Sequence, residues 1–231
     1  MATTTTTIIT DAALLRLFQL SSAALPIGAF AYSQGLEQAV SLGDVKCRES
    51  ALSWIMGMLR RSVLSLDVPV FGRLHTAFTN ADWDGVRLWN DYLFAARGSA
   101  ELRAEERQVG SALARLLSRQ GVELATPWVA DARVTLATAF ALASVTWAAP
   151  RSQAALSYTF AWSEAQVGAA TRLVPLGQTD AQYVLSSLIA CAAEGVGEAL
   201  SRGDVDLSST SPGQLLLSAL HETQYSRLFR S

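Results

Sequence analysis

Apolar residues recur along most of the chain at intervals of three and four positions, the spacing that aligns side chains on one face of an α-helix. The clearest stripe is formed by Leu52, Ile55, Met56, Leu59 and Val63. No segment keeps the alternation of apolar and polar residues that is typical of a β-strand. Alanine and leucine are abundant while proline and glycine are sparse, which also favours helix. The sequence therefore predicts an all-α protein.

Capping residues and helix breakers divide this pattern into separate predicted helices. Their predicted starts lie near residues 11, 33, 44, 67, 82, 99, 134, 152, 180 and 211. No linker is long enough to mark a domain boundary, so we expect residues 11–231 to form a single compact helical bundle. Residues 1–10, "MATTTTTIIT", lack the basic and apolar regions of a secretory signal, and we expect them to be the flexible terminus of a cytoplasmic protein.

The composition narrows the classes of binding partner. Of the 231 residues, 50% are hydrophobic and only 16% are charged, with a formal net charge of −2. This balance lacks the positive excess of proteins that bind nucleic acids or anionic membranes, and we expect neither partner. The two longest uncharged segments, residues 17–36 and 134–149, do not read as membrane spans. Pro26 and Gly28 break the first, and the second is short enough to be a buried core helix.

Residues suited to metal or covalent chemistry are few. The two cysteines and two histidines are scattered along the chain, which argues against a permanent zinc site or a disulfide framework. The glycines do not form a phosphate-binding loop, and no nucleophile elbow is present. We therefore expect no catalytic residue, metal or cofactor. His75, which follows Phe71 and Leu74 in a predicted helix, is expected to be structural.

A charged run in the middle of the chain has an unusual arrangement. It consists of Glu101, Arg103, Glu105, Glu106 and Arg107. Glu101 and Glu105 are a like-charged pair at a spacing of four, as are Arg103 and Arg107, and such pairs slightly destabilise an isolated helix. Either other helices or another protein satisfy some of these charges, or the run is an ordinary solvated face.

The C-terminal tail, residues 221–231, reads "HETQYSRLFRS". Chain ends are usually disordered, but this one is rich in residue types that dominate interfaces. Those residues are Tyr225, Arg227, Leu228, Phe229 and Arg230. A breaker-rich stretch at residues 208–213 precedes the tail and lets it leave the bundle. We expect a tail that is mobile in the free protein and docks on a partner.

Small residues recur at a spacing of four on the helix predicted after residue 180. Ser187, Cys191 and Gly195 form this row, which lets another helix approach closely. The neighbour is either a helix of the same bundle or a helix of a second subunit.

Four segments in order along the chain carry a family resemblance. They are "LFQLSSAALPIGAFAYSQGLEQAV", "ELRAEERQVGSALARLL", "RLVPLGQTDAQ" and "HETQYSRLFRS". Together they resemble the UreF family of urease accessory proteins, from Leu17 to Ser231. The chain departs from the family pattern at Ala31, at Gly98 where an acidic residue is common, and at Arg172 where a lysine is common.

The resemblance implies an all-helical protein that forms dimers and binds the scaffold protein UreD, also called UreH, through a region that includes the tail. The complex would recruit the GTPase UreG and act on apo-urease, coupling GTP hydrolysis to nickel insertion. The chain itself would perform no bond-making chemistry.

The resemblance and the residue types together give a set of expected partner-binding positions. They are Gly28, Tyr32, Gln34, Glu37, Arg172 and Gln178 for UreG, and His221, Tyr225, Arg227, Leu228, Phe229 and Arg230 in the tail. For Gly28 and Tyr32, turning of the chain and packing explain the residue equally well.

Two other functions fit the sequence less directly. A GTPase activator would insert an arginine, Arg172 among the candidates, into the nucleotide site of UreG. A helical enzyme would use acidic residues and would need a pocket with at least two coupled titrating groups.

Overall fold

The computed structural model describes residues 8–209 and 211–230, which form ten α-helices and contain no β-strand. The helices are α1 (Asp11–Ser21), α2 (Leu36–Ser41), α3 (Arg48–Met58), α4 (Val68–Thr79), α5 (Trp83–Ala95), α6 (Ala100–Arg119), α7 (Leu136–Thr146), α8 (Arg151–Leu173), α9 (Gln178–Ser201) and α10 (Pro212–His221). The all-α prediction is confirmed. Residues 1–7 of the predicted flexible terminus lie outside the described residues.

The uncharged helix α7 lies at the centre of the bundle. Its residues from Ala137 to Ser144 are all buried, and it packs against α4, α6 and α8. Three aromatic rings meet beside it, with the Phe71 and Tyr158 centroids 5.2 Å apart and the Phe140 and Tyr158 centroids 5.6 Å apart. A helix without a polar face has to be surrounded in this way, as the sequence predicted.

The predicted helix start at Asp67 is wrong, because α3 and α4 form one continuous rod. A π-helical segment, Leu59–Asp67, joins them. Pro69 lacks an N–H, so the Ser65 carbonyl loses the bond that an α-helix would give it and instead accepts from the Ser208 N–H at 3.4 Å. The Asp67 carboxylate binds Arg97 rather than capping a helix.

Other predicted starts had mixed outcomes. Asp82 and Ser99 each cap a helix through the side chain, as predicted. Asp44 does not, because α3 begins at Arg48 and its first turn is closed by the Ser50 hydroxyl binding the Cys47 N–H. The helix predicted from residue 33 starts at Leu36.

The predicted structural role of His75 is confirmed. His75 is buried on α4, and its Nε2 lies 3.0 Å from the Ala149 carbonyl oxygen. Burial lowers the pKa of His75, which outweighs the opposite effect of this hydrogen bond. A neutral ring that donates to one backbone carbonyl is a structural histidine.

Helix α9 contains the predicted row of small residues. A Cβ atom at Gly195 would lie 2.8 Å from Leu64 Cδ1, closer than side chains tolerate. Gly195 therefore allows close contact inside the bundle, the first of the two interpretations of the row. Within the described ranges, α9 is also the one helix with the length and apolar composition of a membrane span, although only 33% of the relevant window is buried. The sequence pattern had not singled it out.

Candidate functional site

The C-terminal tail lies against the body of the chain, as far as residue 230, where the described part ends. Helix α10 ends at His221 and the chain turns back. The Arg230 N–H donates to the Ala31 carbonyl at 2.9 Å, and the Phe229 side chain is only 4% exposed and packs into the core. This arrangement differs from the expected free tail, because the core of the same chain buries an apolar side chain that had been assigned to a partner.

Glu37 binds the backbone of the tail through both of its carboxylate oxygens. Its Oε1 accepts from the Leu228 N–H at 2.7 Å, and its Oε2 accepts from the Phe229 N–H at 2.8 Å. A carboxylate that binds two successive backbone N–H groups fixes the path of the chain as well as its position. Glu37 is 7% exposed, so it lies beneath the tail and not on the surface where a partner would touch it.

His221 is fully buried between two carboxylates. Its Nδ1 lies 2.8 Å from Glu101 Oε2, and its Nε2 lies 3.2 Å from Glu37 Oε2. The Arg227 guanidinium donates to the other oxygen of Glu101 at 3.0 Å. We call Glu37, Glu101, His221 and Arg227 the latch cluster. It joins α2, α6, α10 and the tail.

Tyr32 meets the end of the tail through Gln108. The Tyr32 hydroxyl donates to Gln108 Oε1 at 2.6 Å, and the Arg230 guanidinium donates to the same oxygen at 3.1 Å. Burial raises the pKa of Tyr32, outweighing a hydrogen bond from Arg230 that lowers it. Tyr32 is buried, which fits the packing interpretation, whereas Gln108 and Arg230 are exposed.

The loop before α2 takes its shape from Gly28, Gln34 and Gly35. All three have positive φ angles, of 78°, 53° and 88°. A Cβ atom at Gly28 would meet nothing within 4 Å, so Gly28 is needed for the turn and not for a close contact. The side-chain amide of Gln34 is bound through both of its polar atoms. Its nitrogen donates to Glu105 at 2.8 Å, and its oxygen accepts from the Trp162 indole at 3.0 Å. These two bonds stabilise the loop in the conformation that gives Gln34 its positive φ.

Arg172 completes the site, whereas Gln178 does not. The Arg172 guanidinium is exposed and lies 5.7 Å from the centre of the Phe30 ring and 5.9 Å from that of Phe229. Gln178 is exposed at the start of α9, and no hydrogen bond or ion pair of the described chain joins it to this surface. Ten of the twelve expected positions therefore lie together, in the loop before α2, on α2 and α8 or in the docked tail. Besides Gln178, the exception is Tyr225, which is completely exposed.

Exposed apolar side chains occur both on α10 and in the tail. Leu216 and Leu220 are exposed on α10, Leu228 is 65% exposed, and Tyr225 is completely exposed. We call these four side chains the tail face. Large apolar groups on a backbone that is fixed from below are typical of a docking surface.

A cavity of about 600 Å³ lies beside the site. Phe30, Gln34, Trp162 and Arg172 line its outer part, so it opens next to the loop that supports the tail.

The inner wall of the cavity contains Asp67, Arg97 and Glu106, which we call the core cluster. Arg97 binds both carboxylates, at 2.8 Å from Nε to Glu106 Oε1, and Glu106 Oε2 also accepts from the N-terminal Leu136 N–H of α7 at 2.8 Å. Burial alone would lower the pKa of Arg97, but the two carboxylates outweigh it and raise that pKa. These coupled groups are the kind of constellation that the enzyme alternative needs, but each carboxylate is already held by the guanidinium.

Charge satisfaction by other parts of the chain explains the like-charged run of α6. Glu101 binds α10 and the tail, Glu105 binds Gln34, and Glu106 binds Arg97. The interpretation as a purely solvated face is wrong for these three. Gln108 and Trp162 were missed, because a lone glutamine or tryptophan carries no spacing signal that points to a site. Among the described residues, no three or more histidine, cysteine, aspartate or glutamate side chains are arranged so that they could hold one metal ion.

Comparison with known sequences shows which protein family the chain belongs to. A family model described as UreF matches residues 45–189, more than half of the sequence. The chain belongs to the UreF family. It is 46% identical over 220 residues to the urease accessory protein UreF of Alkalilimnicola ehrlichii, covering 94% of this chain and 95% of that protein. The corresponding protein of Hahella chejuensis is 41% identical, with 95% and 98% covered, and that of Pseudomonas putida strain F1 is 43% identical, with 96% and 99% covered.

Proposed function

We propose that this UreF-family chain is a urease accessory protein that acts as a cytoplasmic, non-catalytic adaptor in the insertion of nickel into apo-urease. Family membership supports the accessory role, since the relatives carry that name and match over nearly their whole length. The adaptor role is supported by the kind of site that the chain offers. Its exposed groups are apolar side chains and guanidinium groups, whereas the coupled carboxylates are bound inside the fold.

The observation that carries the proposal is the tail face. Leu216 and Leu220 lie on α10, and Glu37 fixes the backbone of Leu228, so a partner would meet a largely preorganised surface. Preorganisation lowers the ordering cost of binding. On this proposal the tail face binds UreD.

The neighbouring edge of the site presents cations. Arg172 and Arg230 are both exposed there, next to the buried Tyr32. We assign this edge to the recruitment of UreG, and the complex then acts on apo-urease. The activator alternative shares these residues, because an exposed guanidinium could also enter a nucleotide site. Single-turnover GTP hydrolysis by UreG distinguishes an adaptor from an activator. If the chain is an activator, replacing one of these arginines by alanine removes the acceleration of hydrolysis while recruitment of UreG persists.

Dimerisation is also part of the proposal. It rests on the family resemblance, since Gly195 of the small-residue row is used within the chain. Light scattering of the free chain and of its UreD complex measures the oligomeric state directly.

The test of the adaptor role is a charge placed on the tail face. Leu228→Asp is expected to abolish co-purification with UreD and activation of urease, because a carboxylate would be buried in the interface. The matched control is Leu88→Asp on α5, where the leucine is 60% exposed, close to the exposure of Leu228. Both variants should keep the helical circular dichroism of the wild type. Equal UreD binding by both variants would remove the tail face from the proposal.

A further inference from the structure

The ring of His221 is enclosed by acceptors on both sides. Each of its two nitrogens faces a carboxylate oxygen, from Glu101 on α6 and from Glu37 on α2. A carboxylate only accepts, so both nitrogens have to donate. The geometry therefore contains the doubly protonated, positively charged ring, or an equivalent proton held on one of the carboxyl groups.

The charges of the latch cluster balance only while that proton is present. Glu37 and Glu101 contribute two negative charges, and Arg227 and the protonated His221 contribute two positive charges. Within the described residues these are the charged groups that face the ring from α2, α6 and the tail; on α10 and just after it, Glu222 binds the Ala100 N–H instead. Loss of the proton leaves one uncompensated negative charge among buried groups and turns a ring lone pair toward a carboxylate, and both effects are unfavourable.

The tail is the element that this imbalance would move. Glu37 receives the ring of His221 and the N–H groups of Leu228 and Phe229 on the same carboxylate. Helices α2 and α6 are held by the rest of the bundle. Among the described residues beyond Glu222, the tail is held by these bonds, by the Arg227 and Arg230 contacts and by the Phe229 side chain, which packs into the core beside Arg172. Opening of the tail lets water reach Glu37 and removes the buried charge.

We propose that the protonated His221 is a latch that holds the tail on the body of the chain, so that loss of its proton releases residues 227–230. His221, Glu37 and Glu101 are then positioning residues, since they act on a partner through the tail and do not touch it. The latch makes the preorganisation of the tail part of the tail face depend on pH, with the docked state lost as pH rises. This sign follows because the docked state binds one proton more than the released state.

Amide hydrogen exchange of the full-length free chain tests the latch. The readout is the protection of the Leu228 and Phe229 N–H groups over a series of pH values, divided by exchange from a synthetic peptide of residues 222–231 to remove the intrinsic effect of pH. Wild-type protection is expected to fall about tenfold or more as pH rises, the effect of losing one charge-assisted hydrogen bond. His221→Gln is expected to have low protection without this pH dependence, because the glutamine amide can donate to only one of the two carboxylates.

Two further variants complete the test. His75→Gln removes the other histidine of the chain and should keep the wild-type pH profile of the tail. Glu101→Gln removes one carboxylate charge while keeping an acceptor, so the cluster is balanced without the proton, and protection should depend on pH less steeply than in the wild type. This variant carries the test if His221→Gln fails to fold. A flat wild-type profile, or a profile of Glu101→Gln as steep as that of the wild type, would overturn the latch. No partner is used, so either failure leaves the adaptor proposal intact, and a failure of UreD binding leaves the latch intact.

Discussion

Two clusters of buried charge do different work in this molecule. The core cluster places the permanent cation of Arg97 between Asp67 and Glu106, in the interior of the bundle. The latch cluster has the same alternation of charge but uses a histidine, whose charge is conditional, and one of the segments that it binds is the chain end. A guanidinium keeps its proton at any physiological pH, whereas an imidazole does not. The first arrangement stabilises the bundle, and the second is suited to an element that has to be moved.

The largest expected effect comes from breaking the core cluster. Arg97→Met leaves two carboxylates buried without a cation and is expected to lower the free energy of unfolding by about 3–5 kcal/mol. Urea denaturation followed by circular dichroism measures the loss. The control is Arg133→Met, which breaks an ion pair to Asp91 on the surface and should cost no more than about 1 kcal/mol. Similar losses in the two variants would mean that the core cluster does not carry the stability assigned to it.

The same contrast shows what a sequence can and cannot reveal. The fold class, the buried α7, the caps at Asp82 and Ser99 and the structural role of His75 depend on local spacing and composition, and all were predicted. The continuity of α3 and α4 was missed, because Asp67 and Pro69 look like a helix start until Arg97 is found to bind the carboxylate.

The candidate site divides in the same way. The segments that form it were expected from residue types and family resemblance. For the charge run of α6 the sequence left two interpretations open, and the structure favours contacts with other elements. The burial of Glu37, His221 and Phe229 under or within the docked tail was not predicted. These residues are up to 192 positions apart in sequence, and a one-dimensional pattern does not contain such long-range pairings.

A smaller effect should distinguish the body of the chain from the tail, because a fall in pH is expected to destabilise the body and to keep the tail docked. Burial lowers the pKa of His75 below the ordinary value of 6.5, so the unfolded chain binds a proton there that the folded chain resists. Stability of the body is therefore expected to fall as pH drops below about 6.5, by at most about 1.4 kcal/mol per pH unit for one proton. This pH dependence is measured from the denaturation midpoints of wild type and His75→Gln between pH 7 and pH 5, roughly the range over which histidine changes charge. His75→Gln should flatten the part of the slope that is due to this residue, while the tail of the wild type stays docked in acid. An unaltered slope in the variant would assign the acid sensitivity to other groups.

The smallest expected effect concerns Gly28, in the loop before α2. Gly28 has a φ of 78° and open space around its Cα, so Gly28→Ala should cost about 1 kcal/mol from backbone strain alone. Asparagine tolerates this conformation better than alanine, and Gly28→Asn should therefore recover part of the lost stability. Thermal unfolding and UreG recruitment are measured on both variants. If Gly28 only turns the chain, recruitment follows stability and recovers in Gly28→Asn. If recruitment is lost in both variants while Gly28→Asn is as stable as the wild type, the larger side chain blocks a contact, and Gly28 belongs to the surface that the partner touches.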